Sequence, residues 1–279
     1  MYAESLSDLK DLSLKSSQVR RLLLDLHFNA KSGHVGSALS CAEILTFLRF
    51  RCMRSCDTLV LSKGHAASAL YSALAVAGDI NEAELRLRYY KDGTVFSAHP
   101  PPNKLSRIPF ATGSLGHGPG ICAGLALGSR LRGHHDERVY CVVSDGELNE
   151  GSVWEAFIFA SHFKLDNLTF IIDKNGLQGF GRTTEVMNME SLEDKFRAFG
   201  LLCAEANGHD FDSLTAAYAN LLAESKKIKR PAVIIANTVK GRGLPGLADT
   251  VDCHYLPMNQ DTYDGVIKFC DSTRAANED

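Results

Sequence analysis

The chain has 279 residues, 45% of them hydrophobic and 23% charged, enough for a globular protein with a sizeable core. Thirty basic residues against 33 acidic ones leave a net charge of −3, which excludes the strongly basic face of a nucleic-acid binder. No apolar stretch approaches the roughly 18–20 residues a bilayer span requires. Residues 1–15 mix acidic side chains with isolated apolar ones, unlike a secretory leader.

Taken in chain order, Val19, Leu22, Leu23, Leu26 and Phe28 recur at helical spacing and predict an N-terminal helix. Thr58–Leu61 is a short β-rich run. Residues 92–120 are rich in Gly, Pro, Ser and His, and a loop of that length tends to be functional; its end merges into a helix-like stretch at 123–131. Val139–Ser144, 169–173 and 233–237 are nearly continuous apolar blocks, as expected of strands buried on both faces of a parallel sheet. Stretches 152–163 and 211–224 read as helices, and the basic run Lys226, Lys227, Lys229 and Arg230 as a solvated helix end. A second irregular stretch covers 240–263. Eight cysteines are scattered, several in apolar runs (Cys122, Cys141, Cys203), as in a reduced cytoplasmic protein. Cys52 and Cys56 lack the second pair a zinc site needs. Strands alternating with helices predict an α/β domain, a doubly wound, mainly parallel sheet flanked by helices, over residues 1–271 with a polar C-terminal tail at 272–279.

Chemistry-bearing residues gather where these strands end. Ser144-Asp145-Gly146 closes one apolar block, and Asp173-Lys174-Asn175-Gly176 closes the next. Ligands of an open parallel sheet bind outside the carboxyl ends of its strands. A glycine there lets backbone approach a phosphate, and the helix expected near Ser152 adds a favourable field. Asp145, Asn175 and a backbone carbonyl just after Asn175 offer three oxygens, a set that suits magnesium completed by phosphate and water. Either motif alone is equally an ordinary turn; strand, helix and strand in succession strengthen the signal. No Gly-x-Gly-x-x-Gly or Walker loop follows a suitable strand, which weakens a nucleotide-binding reading. His34, His65 and His99 stand beside Gly or Pro in loop-like surroundings, and His254 lies in the late loop. Imidazoles so placed can hydrogen-bond sugar hydroxyls and move protons near neutral pH.

The stretch from Ser144-Asp145-Gly146-Glu147 through Trp154-Glu155-Ala156 and Asp166-Asn167-Leu168 to Asp173-Lys174-Asn175 resembles the thiamine diphosphate motif of transketolases. That motif opens Gly-Asp-Gly and closes with Asn; here 175 − 145 = 30 residues. Lys31-Ser32-Gly33-His34, Leu61-Ser62-Lys63-Gly64-His65-Ala66 and Thr112-Gly113-Ser114-Leu115-Gly116-His117-Gly118 extend the resemblance over residues 17–266. Departures are Ser144 for the first Gly, Pro100-Pro101-Pro102 after His99, and Cys253 and Tyr255 around His254. The resemblance implies that Asp145, Asn175 and the Leu177 carbonyl hold Mg2+, with Ca2+ or Mn2+ as substitutes. It places Ser144, Gly146, His65 and His254 on the diphosphate of thiamine diphosphate, and Gly113, Ser114 and Leu115 against its rings. His34, His65, His99 and His254 are the implied catalytic histidines, with His34, His99 and His254 facing sugar donor and acceptor. Glu150 and Glu155, which sequence alone reads as favourable charge at a helix start, are implied at a subunit interface linking paired cofactor sites as a proton relay.

A complete transketolase adds a pyrimidine-binding domain and a C-terminal domain, and nothing here resembles either. The resemblance therefore implies the N-terminal, diphosphate-binding subunit of a split transketolase. Such a subunit is active only with a separate partner, as an α2β2 heterotetramer in the cytoplasm, and moves a two-carbon ketol unit from a ketose or ketose phosphate to an aldose. The alternatives are an α-type subunit of another thiamine diphosphate enzyme (a 2-oxo-acid dehydrogenase, decarboxylase or acyloin synthase) and a non-catalytic assembly subunit.

Overall fold

The computed structural model describes residues 6–102, 105 and 107–278. The chain opens with α1 (Leu6–Ala30), α2 (Val35–Ser40) and α3 (Ala42–Phe47), then a π-turn at Leu48–Cys52. Strand β1 (Thr58–Leu61) leads through a short turn at Gly64–Ala66 into α4 (Ala67–Val76) and α5 (Glu82–Arg88). After the long loop come α6 (His117–Leu131), β2 (Val139–Ser144), α7 (Gly151–His162) and β3 (Leu168–Lys174). The second half holds α8 (Thr183–Val186), α9 (Leu192–Ala198), β4 (Leu202–Asn207), α10 (Phe211–Ile228), β5 (Ala232–Asn237), α11 (Asp252–Tyr255) and α12 (Gln260–Glu278).

The five strands form one sheet in the order β1-β2-β3-β5-β4, and every pair is parallel. Because side chains alternate across a strand, the apolar runs feed two cores. Leu59, Leu61, Tyr140, Val142, Ile171 and Ile234 face one core, which α1, α4 and α10 cover. Val60, Cys141, Val143, Phe170, Ile172, Val233 and Ile235 face the other, against α6, α7 and α9. The expected doubly wound sheet is thus present, with helices on both faces.

Two sequence expectations need correction, and one strand was not foreseen. Strand β4 carries Ala204, Glu205, Ala206 and Asn207 and half-exposes its side chains at the sheet edge, so no apolar block marked it. Helix α6 begins at His117, six residues before the stretch read as helical, because its first turn is made of Gly and Pro. Helix α12 runs through Glu278, so residues 272–278 continue that helix and do not form a separate tail; Asp279 lies outside the described residues.

Candidate active site

All strands being parallel, β1, β2, β3 and β5 deliver their following loops to one edge of the sheet. Asp145, directly after β2, is buried. Its Oδ2 accepts hydrogen bonds from the Gly176 N–H at 2.7 Å and the Thr183 hydroxyl at 3.1 Å, and its Oδ1 from the Gly146 N–H at 2.9 Å. Two sequence-predicted loops, 145–146 and 175–177, are therefore joined through one carboxylate. Burial, reinforced by nearby Asp173, pushes the Asp145 carboxyl up to about 6. Asn175, also buried, accepts the Leu177 N–H on Oδ1 at 3.2 Å. Gly146 has a steric role too: a Cβ there would lie 2.9 Å from Cγ of Gln178. The Ser144 hydroxyl oxygen accepts the Glu147 N–H at 3.3 Å, a local turn bond.

Three of the four singled-out histidines form one group. Ring centres of His34 and His254 are 4.8 Å apart, of His34 and His65 5.6 Å, and of His65 and His254 5.7 Å. Their loops interlock: the His34 N–H donates to the His254 carbonyl at 2.9 Å, and a Cβ on Gly33 would lie 2.7 Å from the Tyr255 carbonyl oxygen. His99 lies against the glycine-rich loop, its ring 3.0 Å from where a Cβ on Gly113 would sit, and its charge adds to the lowering of His34. Burial lowers all four imidazoles. For His254, burial and then the Lys240 charge bring the value to about 3; the trio is neutral at pH 7. Nδ1 of His34, Nδ1 of His254 and Nε2 of Gln178 are buried without a partner among the described residues. Buried polar atoms left without a partner call for one from outside the chain.

The glycine-rich loop 112–118 leans on this edge through backbone contacts. A Cβ on Gly64 would meet Gly113 N and Thr112 backbone atoms at 2.7–2.8 Å, so only glycine lets the two loops touch. Ser114 is exposed and Leu115 half-buried. His117 opens α6 exposed, its Nδ1 3.3 Å from the Ser114 and Leu115 carbonyls. Glu147 fastens the group: fully buried, it accepts hydrogen bonds from the Ser62 hydroxyl, the Gly116 N–H at 2.8 Å and the Ser144 N–H at 3.3 Å.

Four residues that build the site escaped the sequence reading. Glu147 stood inside the motif with no role of its own. Lys63 and Asp173 form a completely buried ion pair behind the site, with Ser40 donating to Asp173 Oδ2 at 2.5 Å and Thr238 to Oδ1. Burial pushes the Asp173 carboxyl up, and the Lys63 charge with these hydrogen bonds more than offsets it. Lys240, from the loop after β5, is 3% exposed and donates from Nζ to the Leu177 carbonyl at 2.9 Å. Burial, then repulsion by Lys63, lowers it to about 8. A charged residue next to a strand end or inside an irregular stretch gave no sequence signal for any of these contacts.

Glu150 and Glu155 are exposed at the start of α7; Glu150 packs on the glycine-rich loop, its Cβ 2.8 Å from where a Cβ on Gly116 would sit. The same outward face carries Ile158, Phe159 and Phe163, 53%, 39% and 40% exposed. Beside it, Gly120, Gly124 and Gly128 of α6 have open space above them. Among the described residues no three His, Cys, Asp or Glu side chains come together as a metal cage, Cys52 and Cys56 included. No helix among them is long and apolar enough to cross a membrane.

Residues 13–268 match the family described as transketolase, thiamine diphosphate binding domain. The chain is 34% identical to the A-type subunit of apulose-4-phosphate transketolase from Phocaeicola vulgatus, covering 92% of each. It is likewise 34% identical to the 6-deoxy-6-sulfo-D-fructose transketolase subunit SqwG of a Clostridium species, over 92% of this chain and 95% of that one. The transketolase structure from Campylobacter jejuni superposes with a TM-score of 0.83 at 27% identity, covering 95% of this chain and 45% of that one. The chain thus spans nearly the whole of these subunit relatives and under half of that transketolase chain. With the strand-end site and this extent of match, the chain belongs to the transketolase family, as its thiamine diphosphate binding domain.

Proposed function

We propose that this chain is the diphosphate-binding subunit of a two-component transketolase. The reaction is transfer of a two-carbon ketol unit from a ketose, or its phosphate, to an aldose. The observation that carries this reading is the pairing of a site built at four strand ends with a match that runs over 92% of this chain and 92% and 95% of relatives named as transketolase subunits. A separate chain then supplies the pyrimidine-binding half, in an α2β2 assembly. Its docking is supported by the exposed apolar face of α7, with Glu150 and Glu155 linking paired sites there. The free cysteines support a cytoplasmic setting.

The residues present fit the cofactor and a magnesium ion. Asp145, Asn175 and the Leu177 carbonyl are hard oxygen donors gathered in two adjoining loops. Ser144, Gly146, His65 and His254 are the residues for the diphosphate, and Gly113, Ser114 and Leu115 for the rings. When bound, the cofactor supplies the carbon nucleophile and electron sink. The protein's own share is positioning. His34, His99 and His254 face the sugars; neutral imidazoles each offer one donor and one acceptor to hydroxyls, and can take or return a proton as the hydroxyl reacts. The buried, unpartnered Nδ1 atoms of His34 and His254 argue against a purely structural role for the chain.

The test is to purify the chain with the product of an adjacent reading frame and screen ketose donors with thiamine diphosphate and Mg2+. Ketol transfer requiring both chains, and loss of cofactor retention in Asp145→Ala, are the expected results. Pyruvate decarboxylation in place of ketol transfer would move the chain to the 2-oxo-acid branch.

A further inference from the structure

Lys240 occupies the carbonyl that the metal needs. Its ammonium lies 2.9 Å from the Leu177 oxygen, and no carboxylate among the described residues pairs with it. The backbone on either side is pinned. The Gly241 N–H donates to the Gly36 carbonyl at 3.0 Å, and the Lys240 carbonyl accepts the Asp249 N–H at 2.8 Å. A flexible side chain on a fixed anchor can swing, but not leave. A bound Mg2+ would need the same oxygen at about 2.0–2.1 Å, which places two cations on one carbonyl.

We propose that Lys240 is a placeholder cation that keeps free divalent metal out of the site and yields the Leu177 carbonyl only when a diphosphate arrives with the metal. This rests on the metal reading above. The charges decide it. The ligand set contributes one negative charge, from Asp145, and Lys63 is already neutralised by Asp173. Adding a divalent ion beside the Lys240 ammonium leaves a buried excess of positive charge, which is costly in a site shielded from water. A diphosphate removes that excess and gives the displaced ammonium an anionic partner. Metal and diphosphate therefore enter as one unit, and each raises the affinity of the other by the same factor. Removing the ammonium should free the carbonyl for metal alone.

The experiment titrates Mn2+ into the full chain by electron paramagnetic resonance, with and without inorganic pyrophosphate. Wild type is compared with Lys240→Met, Lys240→Gln, Lys240→Arg and Asp145→Ala, each checked for folding by circular dichroism. Without pyrophosphate, Lys240→Met and Lys240→Gln should bind Mn2+ about tenfold more tightly than wild type. Lys240→Arg, which keeps the charge, should remain as weak as wild type, and Asp145→Ala should bind in neither condition. Using two neutral variants keeps the comparison available if one of them fails to fold. Equal Mn2+ affinity in wild type and the folded neutral variants, with binding still abolished in Asp145→Ala, would overturn the placeholder role alone. Absence of any Asp145-dependent Mn2+ signal, even with pyrophosphate, would overturn the metal reading beneath it.

Discussion

Two buried charges set the energetics around single residues. Lys63 and Asp173 are wholly enclosed, and Lys63 also donates to the Ser37 carbonyl at 3.0 Å and the Ser40 hydroxyl at 3.2 Å. Removing one partner of such a pair leaves an uncompensated buried charge, at a cost of about 3–5 kcal/mol. Asp173→Asn should lower the free energy of urea unfolding by that amount, and an unchanged midpoint would show that the ammonium finds other partners. His27 makes the pH counterpart. It is buried, with Nε2 2.7 Å from the Ser68 hydroxyl and Nδ1 2.9 Å from that of Ser32, and burial lowers it to about 4. Below its unfolded value of about 6.5 the unfolded chain takes up a proton that the folded one refuses, so stability falls as pH drops towards 4. The loss from this residue approaches about 3 kcal/mol at the lower end. His27→Gln should flatten the slope of unfolding free energy against pH between those values by up to one proton. An unaltered slope would assign the acid sensitivity to the histidine trio instead.

Loops and strands show what could be read from the sequence and what could not. Strands β1, β2, β3 and β5 were legible because burial on both faces demands unbroken apolar runs, and Thr58–Leu61 and Val139–Ser144 match their blocks residue for residue. The edge strand β4 was not, since its partner on one side is solvent and Ala-Glu-Ala-Asn suffices. At the site, Asp145 and Asn175 were legible through their position after such strands. Glu147 and Lys240 were not, because their roles depend on contacts between loops distant in sequence: Glu147 reaches Ser62 and Gly116, and Lys240 reaches Leu177. Gly64 shows the same limit in steric form. Its neighbours across the gap are backbone atoms of Thr112 and Gly113, which cannot rotate away. Gly64→Ala must push the glycine-rich loop off the turn that carries His65, an overpacking cost of about 1–3 kcal/mol. The expected result is a lower melting temperature together with a raised KM for ketose in the two-chain complex. A melting temperature and KM equal to wild type would mean the loops part without consequence.

Across the whole molecule, the apolar face of α7 is the surface that calls for a partner. Helices α6 and α7 pack side by side over the second core, and their outward surface combines glycines with nothing above them and the side chains Ile158, Phe159 and Phe163. The rings of Phe159 and Phe163 lie 4.5 Å apart, forming one apolar block next to the carboxylates of Glu150 and Glu155. An isolated domain gains nothing from aromatic rings held in water, whereas a close-packed partner buries them, and buried aromatics often dominate interface energy. Phe159→Asp should therefore leave the fold intact, since the residue points away from both cores, yet weaken assembly by about 2 kcal/mol or more. That is a loss of roughly thirtyfold or more in affinity. Sedimentation velocity on the purified two-chain complex reads this directly as a shift to smaller species. A variant that sediments like wild type, with an unchanged circular dichroism spectrum, would place the assembly contact on another face.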